Sequence, residues 1–214
     1  LKRYGRERND AAQPRSVSRL SAYLHYGHIS PFRIARQAKL ASKFLDELLV
    51  WRELAWHHCH HASADPRAWE ALPAWARETL EEHHDSGHAL PLETLELGRT
   101  GSPLWDLAQR SLLVHGELHN NLRMTWGKAL LQWSRSPRQT LARLFELNDR
   151  YALDGRDPSS VAGLTWCLGA LDRPFSPPAA PFGRVRARSV ERHAGRLDLE
   201  RYGAWVSRPA LPSS

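Results

Sequence analysis

The sequence is poor in the residues that build crosslinked or membrane-spanning proteins. Its two cysteines, Cys59 and Cys167, both lie in apolar helical patterns. We therefore expect free buried thiols and a reducing, intracellular setting, cytoplasmic or DNA-associated, without a disulfide framework. No run approaches about eighteen consecutive apolar residues, so we expect no membrane helix. There is no signal-peptide pattern, and because the chain starts at Leu1 we expect a fragment of a longer protein.

Lysine is also scarce, although the chain is basic. Thirty basic residues stand against 23 acidic ones, giving a net charge of +7 and a pI near 9.9. Only four of the basic residues are lysines, namely Lys2, Lys39, Lys43 and Lys128. Such a charge favours an acidic partner such as DNA. A coding bias toward arginine would give the same composition, so charge alone leaves both interpretations open.

Alternating strand patterns are almost absent, which predicts an all-α fold in one domain over residues 1–214. Residues 1–16 are a polar lead-in, and residues 172–190 are Pro-rich and extended. Caps and apolar spacing predict helices from Ser18, from Pro31 after Ser30, and over 43–61, 74–84, 91–97, 103–115, 117–134, 136–147 and 158–170.

Three polar features invite a functional interpretation. The stretch "WHHCHH" at 56–61 suggests zinc, but a helix places only His57 and His61 on one face and no second cluster has matching spacing, so we expect no metal. Glu47 lies on an apolar stripe, either at its solvated edge, which the pattern favours, or buried with a raised pKa. "SVSRLS" at 16–21 is typical of a helix cap at Ser18, or of an anion site.

Tryptophan is abundant, with nine residues. Leu122, Trp126, Ala129, Leu130 and Trp133 form one stripe at helical spacing, which indicates core packing. Leucine would satisfy packing equally, whereas a chain of indoles also suits electron transfer. In the next helix, Gly163 and Gly169 indicate close approach by a backbone or a flat ligand.

Seven stretches follow one another as in the photolyase/cryptochrome family. They are "RYGRERND", "SRLSAYLHYGHISP", "FLDELLVWREL", "TGSPLWDLAQ", "LRMTWGKALLQW", "LNDRYALDGRDP" and "PFGRVR". The chain most resembles class II cyclobutane pyrimidine dimer photolyases, above all in "LNDRYALDGRDP" and the one-residue-longer "ELLVWREL". The resemblance implies the irregular helical FAD-binding domain without the N-terminal α/β antenna domain. It also implies light-driven electron transfer from reduced FAD to a dimer flipped out of DNA.

The resemblance assigns roles to individual residues of this sequence. Asn148 would face flavin N5 beside an ion pair of Arg123 and Asp154, and Glu47 would hydrogen-bond the dimer, which favours the buried alternative for that residue. The remaining residues form four groups: Tyr4, Ser18, Arg19, Leu20, Ser21 and Arg52 at the FAD phosphates; Trp51, Met124 and Trp166 against the dimer; Asp172 and Arg173 at the DNA entrance; and Trp126, Trp105 and Trp133 as an electron relay.

The sequence departs from the class II pattern at two places. Asn120 stands where glycine is usual, and Ser159-Ser160 replaces a usual Asn-Gly, so both affect the expected placement of the substrate. A cryptochrome-like photoreceptor and an inactive flavin-binding domain are the alternatives. A (6-4) photolyase needs histidine chemistry at the lesion, and no histidine in the sequence matches that role.

Overall fold

The computed structural model describes residues 3–62, 65–85 and 87–209. Within these ranges there is no β-strand, only an isolated bridge between Ala179 and Gly183, which confirms the all-α prediction. No described helix is both long and apolar enough to span a bilayer. The α-helices are α1 Tyr4–Glu7, α2 Ser21–His25, α3 Pro31–Gln37, α4 Ser42–Asp46, α5 Arg52–His60, α6 Ala74–His83, α7 Leu92–Glu96, α8 Pro103–His115, α9 Asn120–Ala129, α10 Pro137–Tyr151, α11 Pro158–Trp166, α12 Val190–Ala194 and α13 Leu199–Val206.

Proline marks the first turn of four helices, because its fixed φ suits that position and its missing N–H costs no helical bond. α3, α8, α10 and α11 all begin in this way. The predicted cap of α11 is confirmed, since the Asp157 carboxylate accepts a hydrogen bond from the Ser159 N–H at 2.9 Å. Ser30 occupies the N-cap position of α3 without a side-chain bond.

A π-helical segment, Glu47–Trp51, joins α4 to α5. Such a segment accommodates one extra residue in a continuous helix and is frequent at functional sites. It therefore accounts physically for the additional residue of "ELLVWREL". The predicted helix over 43–61 is confirmed as a continuous run, with this wider turn in its middle.

The predicted helix over 117–134 is shorter than expected, because α9 ends at Ala129. Beyond it the backbone tightens to bonds three residues apart, from Leu131 N to Lys128 O and from Trp133 N to Leu130 O. The prediction that Trp126 and Trp133 share one helix was therefore wrong. Trp133 lies in the turn that follows α9.

Other boundaries also differ from the predictions. α2 begins at Ser21, so Ser18 does not cap it. α11 ends at Trp166, and Gly169 lies beyond it with φ +98°, a left-handed conformation that favours glycine. α10 runs on to Tyr151, and α12 and α13 were not predicted.

The described residues form two hydrophobic cores. The larger is centred on α8–α11 and contains Trp105 and Trp126. The smaller consists of Ile34, Ala38, Phe44 and Leu48, from α3, α4 and the π-helical segment. Residues of both cores face a cavity between them, including Phe44 and Leu48 on one side and Leu118 on the other. The fold therefore presents a cleft between its two packed parts.

Candidate functional site, two adjoining cavities beside a tryptophan stack

Two cavities meet in the cleft. The inner cavity has a volume of about 280 Å³ and the outer cavity about 1170 Å³. Both are lined by a common set of residues, so they adjoin. That set is Tyr4, Val17, Glu47, Arg52, Asn120 and Ser159.

The inner cavity brings together most of the residues expected to hold FAD. All six residues assigned to the phosphates line it, together with Arg123 and Asp154. Arg19 takes a left-handed backbone with φ 53° and donates two hydrogen bonds of 2.8 Å to Glu117. The Tyr202 hydroxyl and His119 Nε2 are buried in the wall without a hydrogen-bond partner among the described residues. Buried polar atoms of this kind require a partner.

Arg123 is the centre of a buried polar network at the inner cavity. Its Nη2 donates to both carboxylate oxygens of Asp154, at 3.0 and 3.2 Å. Its Nη1 donates to Asn148 Oδ1 at 3.0 Å and to Ser160 Oγ at 2.7 Å. Asn148 is fully buried and does not line either cavity. Its amide donates to Ser160 and Asp149. Asn148 therefore lies behind Arg123 and helps to orient it, and its direct contact with a flavin stays a prediction.

A second ion pair joins α5 to α11. Arg52 is bidentate to Asp157 at 2.9 and 2.8 Å and donates to the Ser159 hydroxyl at 3.1 Å. His25 Nδ1 lies 3.4 Å from the same carboxylate. Burial opposes ionisation of Asp157, but the hydrogen bonds and charge of Arg52 outweigh it and hold the carboxyl pKa below its ordinary value.

The Asp157 pair predicts a specific acid sensitivity. Because its folded pKa is lowered, its contribution to stability is complete above the ordinary value of 3.8 and is lost as the pH falls through the folded pKa. Asp157→Asn should therefore lower the free energy of unfolding at pH 7. The gap from the parent should narrow below about pH 4, in urea titrations at each pH. A constant gap would contradict this account of Asp157.

The outer cavity contains Glu47, but not as an isolated buried acid. Its carboxylate lies 2.7 Å from Arg8 and 2.9 Å from Lys43, with 24% of the side chain exposed. The expectation of a buried group is therefore corrected. The pattern-based alternative, an edge position, describes Glu47 better, although both the π-helical segment and the cavity wall include it.

Trp51, Met124 and Trp166 all line the outer cavity, as expected for a lesion site. The rings of Trp51 and Trp166 lie 5.3 Å apart between centroids, at 33°. Two walls enclosing a flat ring would stand about 7 Å apart, twice a contact distance. The two indoles therefore form one aromatic corner. Gly163 also lines this cavity, and a Cβ there would meet only Arg123 Cδ, at 3.9 Å.

The outer cavity has a strongly cationic lining. Asp172 lines it as expected, whereas Arg173 does not and instead lies 5.5 Å from the Phe175 ring. The cationic lining by Arg186, at the end of "PFGRVR", and by Arg188, Arg192 and Arg196 after it was not predicted. Their spacings of two, four and four residues were the available signal. The cavity's three carboxylates, Asp10, Glu47 and Asp172, face nine cations, namely Arg6, Arg8, Lys43, Arg52, Lys128, Arg186, Arg188, Arg192 and Arg196.

A histidine of α12 also lines the outer cavity and was not predicted. His193 Nδ1 lies 2.6 Å from the Thr125 hydroxyl. Burial, together with the charges of Arg188 and Arg196, lowers the pKa of His193 to about 4. His193 is therefore neutral at pH 7.

The three predicted relay tryptophans form a continuous stack. Trp126 and Trp105 are both 1% exposed, and their rings lie 6.1 Å apart at 9°. Trp105 meets Trp133 edge-on at 5.2 Å. Trp133 is partly exposed, and Trp126 lies one helical turn beyond Arg123. The three indoles therefore run toward the surface from Trp126, which lies behind the cavity-lining residue Arg123 and does not itself line either cavity.

The histidine-rich stretch and the cysteines have no such organisation. His57 and His61 share a face, with ring centroids 4.3 Å apart, but the described residues include no group of three or more potential ligands arranged around a metal. Both cysteines are free. Cys167 is buried as predicted, whereas Cys59 is only partly buried. Burial raises the pKa of both thiols.

No family model matches the sequence. The chain is 37% identical to the deoxyribodipyrimidine photo-lyase of Oryza sativa subsp. japonica over 98% of its own length and 43% of that protein. It is 38% identical to the protein of the same name from Methanothermobacter thermautotrophicus, over 87% of its own length and 42% of that protein. It is 33% identical to the protein of the same name from Potorous tridactylus, over 95% of its own length and 40% of that protein. Most of the chain aligns with these curated relatives, but it spans less than half of their length. The chain therefore belongs to the deoxyribodipyrimidine photo-lyase family.

Proposed function

We propose that the chain binds FAD in the inner cavity and splits a cyclobutane pyrimidine dimer of DNA in the outer cavity under light, as a photolyase of class II type. The observation that carries this proposal is the junction of the two cavities. An inner cavity lined by the Arg123–Asp154 ion pair adjoins a cationic outer cavity with an aromatic corner. A flavin in the inner cavity and a dimer in the outer cavity would be neighbours, as electron transfer between them requires. A DNA substrate also implies an intracellular location.

The residues of the inner cavity fit a flavin. The Arg123 guanidinium offers a fixed cation at the ring, and a cation stabilises a reduced, anionic isoalloxazine electrostatically. Ser18, Ser21, Arg19 and Tyr4 would hold the phosphate side. The unpaired Tyr202 hydroxyl and His119 Nε2 supply further polar atoms to a ligand. When bound, the reduced flavin would absorb the light and supply one electron to the dimer, and it would regain that electron after the two carbon–carbon bonds between the pyrimidines have opened.

The outer cavity is suited to hold a flipped-out dimer and the surrounding phosphates. The aromatic corner of Trp51 and Trp166 offers a stacking surface that excludes water from a base. Gly163 leaves space on the side of Arg123, so a lesion can approach the inner cavity closely. Arginine forks suit phosphate oxygens, which position DNA without reading its sequence. We assign the arginines of the 186–196 region this role.

Glu47 provides a test that separates catalysis from binding. In this proposal the dimer replaces Arg8 and Lys43 as the partner of Glu47, whose carboxyl group is then protonated. Its O–H donates a hydrogen bond to the dimer and stabilises the negative charge that develops there. Glu47→Ala should lower the repair yield per absorbed photon at least about tenfold, since a hydrogen bond to a charged group contributes about 1.5–3 kcal/mol. DNA affinity should stay level or rise, because Arg8 and Lys43 lose their anionic partner.

The measurement compares repair of a dimer-containing oligonucleotide with its dissociation constant, both for protein loaded with reduced FAD. Glu47→Gln is the matched control, since its amide still donates a hydrogen bond and should retain most of the yield. Equal loss of yield and affinity in Glu47→Ala would contradict the assignment. If the parent protein binds FAD and responds to light but leaves the dimer intact, the photoreceptor alternative gains support. If it binds FAD but neither responds to light nor repairs the dimer, it is an inactive flavin-binding domain. A chain that takes up no FAD would contradict the flavin assignment itself.

A further inference from the structure

Gln109 is a buried amide that the proposed mechanism does not yet use. It lies on α8 with 0% of its surface exposed. Its Oε1 accepts a hydrogen bond from Trp126 Nε1 at 3.0 Å, and its Nε2 donates to the Glu96 backbone oxygen at 3.1 Å. The two bonds fix the amide orientation, because only its oxygen can face an indole N–H and only its nitrogen can face a carbonyl. The indole proton of Trp126 therefore meets a neutral amide oxygen.

The next indole of the stack is held in a similar way. Trp105 Nε1 donates to the backbone oxygen of Trp126 at 2.9 Å. Amide and peptide oxygens are very weak bases, so neither can take a proton from an indole, even an oxidised one. Trp133, the outer member of the stack, is partly exposed and can pass a proton to water. Proton acceptance is therefore restricted to the surface end.

We propose that Gln109 keeps oxidised Trp126 protonated, so that the positive charge moves outward instead of being trapped beside the cofactor. The inference rests on the proposed relay. Trp126 gives one electron to the photoexcited, oxidised flavin and recovers one from Trp105, which recovers one from Trp133. The Trp133 cation then releases its Nε1 proton to water and remains as a neutral radical. One electron has moved inward and one proton outward, and Gln109 acts as a positioning residue.

Gln109→Glu tests this inference because it places a base at the same atom. When protonated, the new carboxyl can donate to the Glu96 carbonyl and accept from Trp126, so it resembles the amide. When ionised, it can take the indole proton. Burial raises the pKa of such a group, so ionisation requires alkaline pH. Two titratable groups belong to the elements around Gln109. On α8, the Asp106 carboxylate accepts hydrogen bonds from Thr100 and Gly101. On α7, the Glu96 carboxylate is bonded to Tyr151 and Arg150, which hold its pKa below its ordinary value.

The experiment follows tryptophan radicals by time-resolved absorption in the flavin-loaded protein, where the cation and the neutral radical have different spectra. In the parent protein we expect a cation first and then a neutral radical, whose formation disappears in Trp133→Phe. In Gln109→Glu at alkaline pH, we expect a neutral radical at once, and it should survive Trp133→Phe. At low pH the variant should behave as the parent does.

The outcomes separate the inference from the proposed function. A parent protein without light-induced tryptophan radicals would overturn both. If the parent forms the radicals, but the neutral radical in Gln109→Glu still requires Trp133 at every pH, the relay assignment stands and the proposed role of Gln109 is wrong. A loss of folding, checked by circular dichroism, would affect the cation and the neutral radical alike. A neutral radical that forms at once and without Trp133, at alkaline pH only, therefore cannot come from a purely structural role.

Discussion

Arg123→Leu is expected to lower the free energy of unfolding by about 3–5 kcal/mol, the usual cost of removing one partner from a buried ion pair. Only 7% of the Arg123 side chain is exposed, and its loss leaves Asp154, Asn148 and Ser160 without their shared donor. The same change removes the cation proposed for the flavin ring, so FAD affinity should fall in parallel. Urea unfolding and a flavin titration followed by absorbance measure the two effects.

Arg138→Leu is the matched control for this prediction. Arg138 pairs with Glu70, but both side chains are more than half exposed, at 56% and 61%. An exposed ion pair contributes about 0–1 kcal/mol, so this variant should unfold almost as the parent does and bind FAD normally. Arg123→Lys retains the charge without the planar fork and should lie between the two. Similar losses in Arg123→Leu and Arg138→Leu would contradict the special role of the buried network.

Trp126→Phe is expected to reduce photoreduction of the flavin by at least about a hundredfold. Phenylalanine is far harder to oxidise than tryptophan, and a one-electron equilibrium changes about tenfold for each 59 mV. Repair by chemically reduced protein should remain nearly intact, because the electron for the dimer does not pass through this residue. Measuring both reactions in one preparation separates the relay from the repair chemistry.

Trp69→Phe is the control for the loss of an indole. Trp69 is a core residue with 5% exposure, and its aromatic contact is with Arg138 and not with the stack. Its replacement should leave photoreduction unchanged. Trp126→Phe also leaves the Gln109 oxygen unpaired, which should cost about 1–3 kcal/mol of stability. Equal loss of photoreduction and repair in Trp126→Phe would remove the relay assignment.

The features that could be predicted from the sequence are those set by local chemistry. Proline after a capping residue identified the starts at Pro31 and Pro158, and helical spacing predicted an all-α fold. The resemblance selected residues from distant segments, and the fold places most of them around two adjoining cavities. Trp105 and Trp126 are 21 residues apart in sequence, yet their rings stack.

The features that could not be predicted depend on tertiary orientation. Periodicity cannot show that Asn148 points at Arg123 and away from the cavity. It also cannot show that Glu47 pairs with Arg8, because Arg8 comes from a separate segment of the chain. The phase of a helical stripe is lost where α9 tightens after Ala129, so Trp133 reaches Trp105 from a turn. Arg186 and Arg188 became part of the site only when the Pro-rich segment was seen to line the outer cavity.

The most direct test of the central claim is light-driven repair by this chain. The protein is loaded with FAD, reduced chemically, and mixed with an oligonucleotide containing one cyclobutane pyrimidine dimer, and intact dimers are counted after blue light and after an equal time in darkness. The account predicts that dimers disappear in the light alone and that the flavin remains reduced. Dimers that persist in the light, in protein shown to hold reduced FAD and to bind the oligonucleotide, would contradict it.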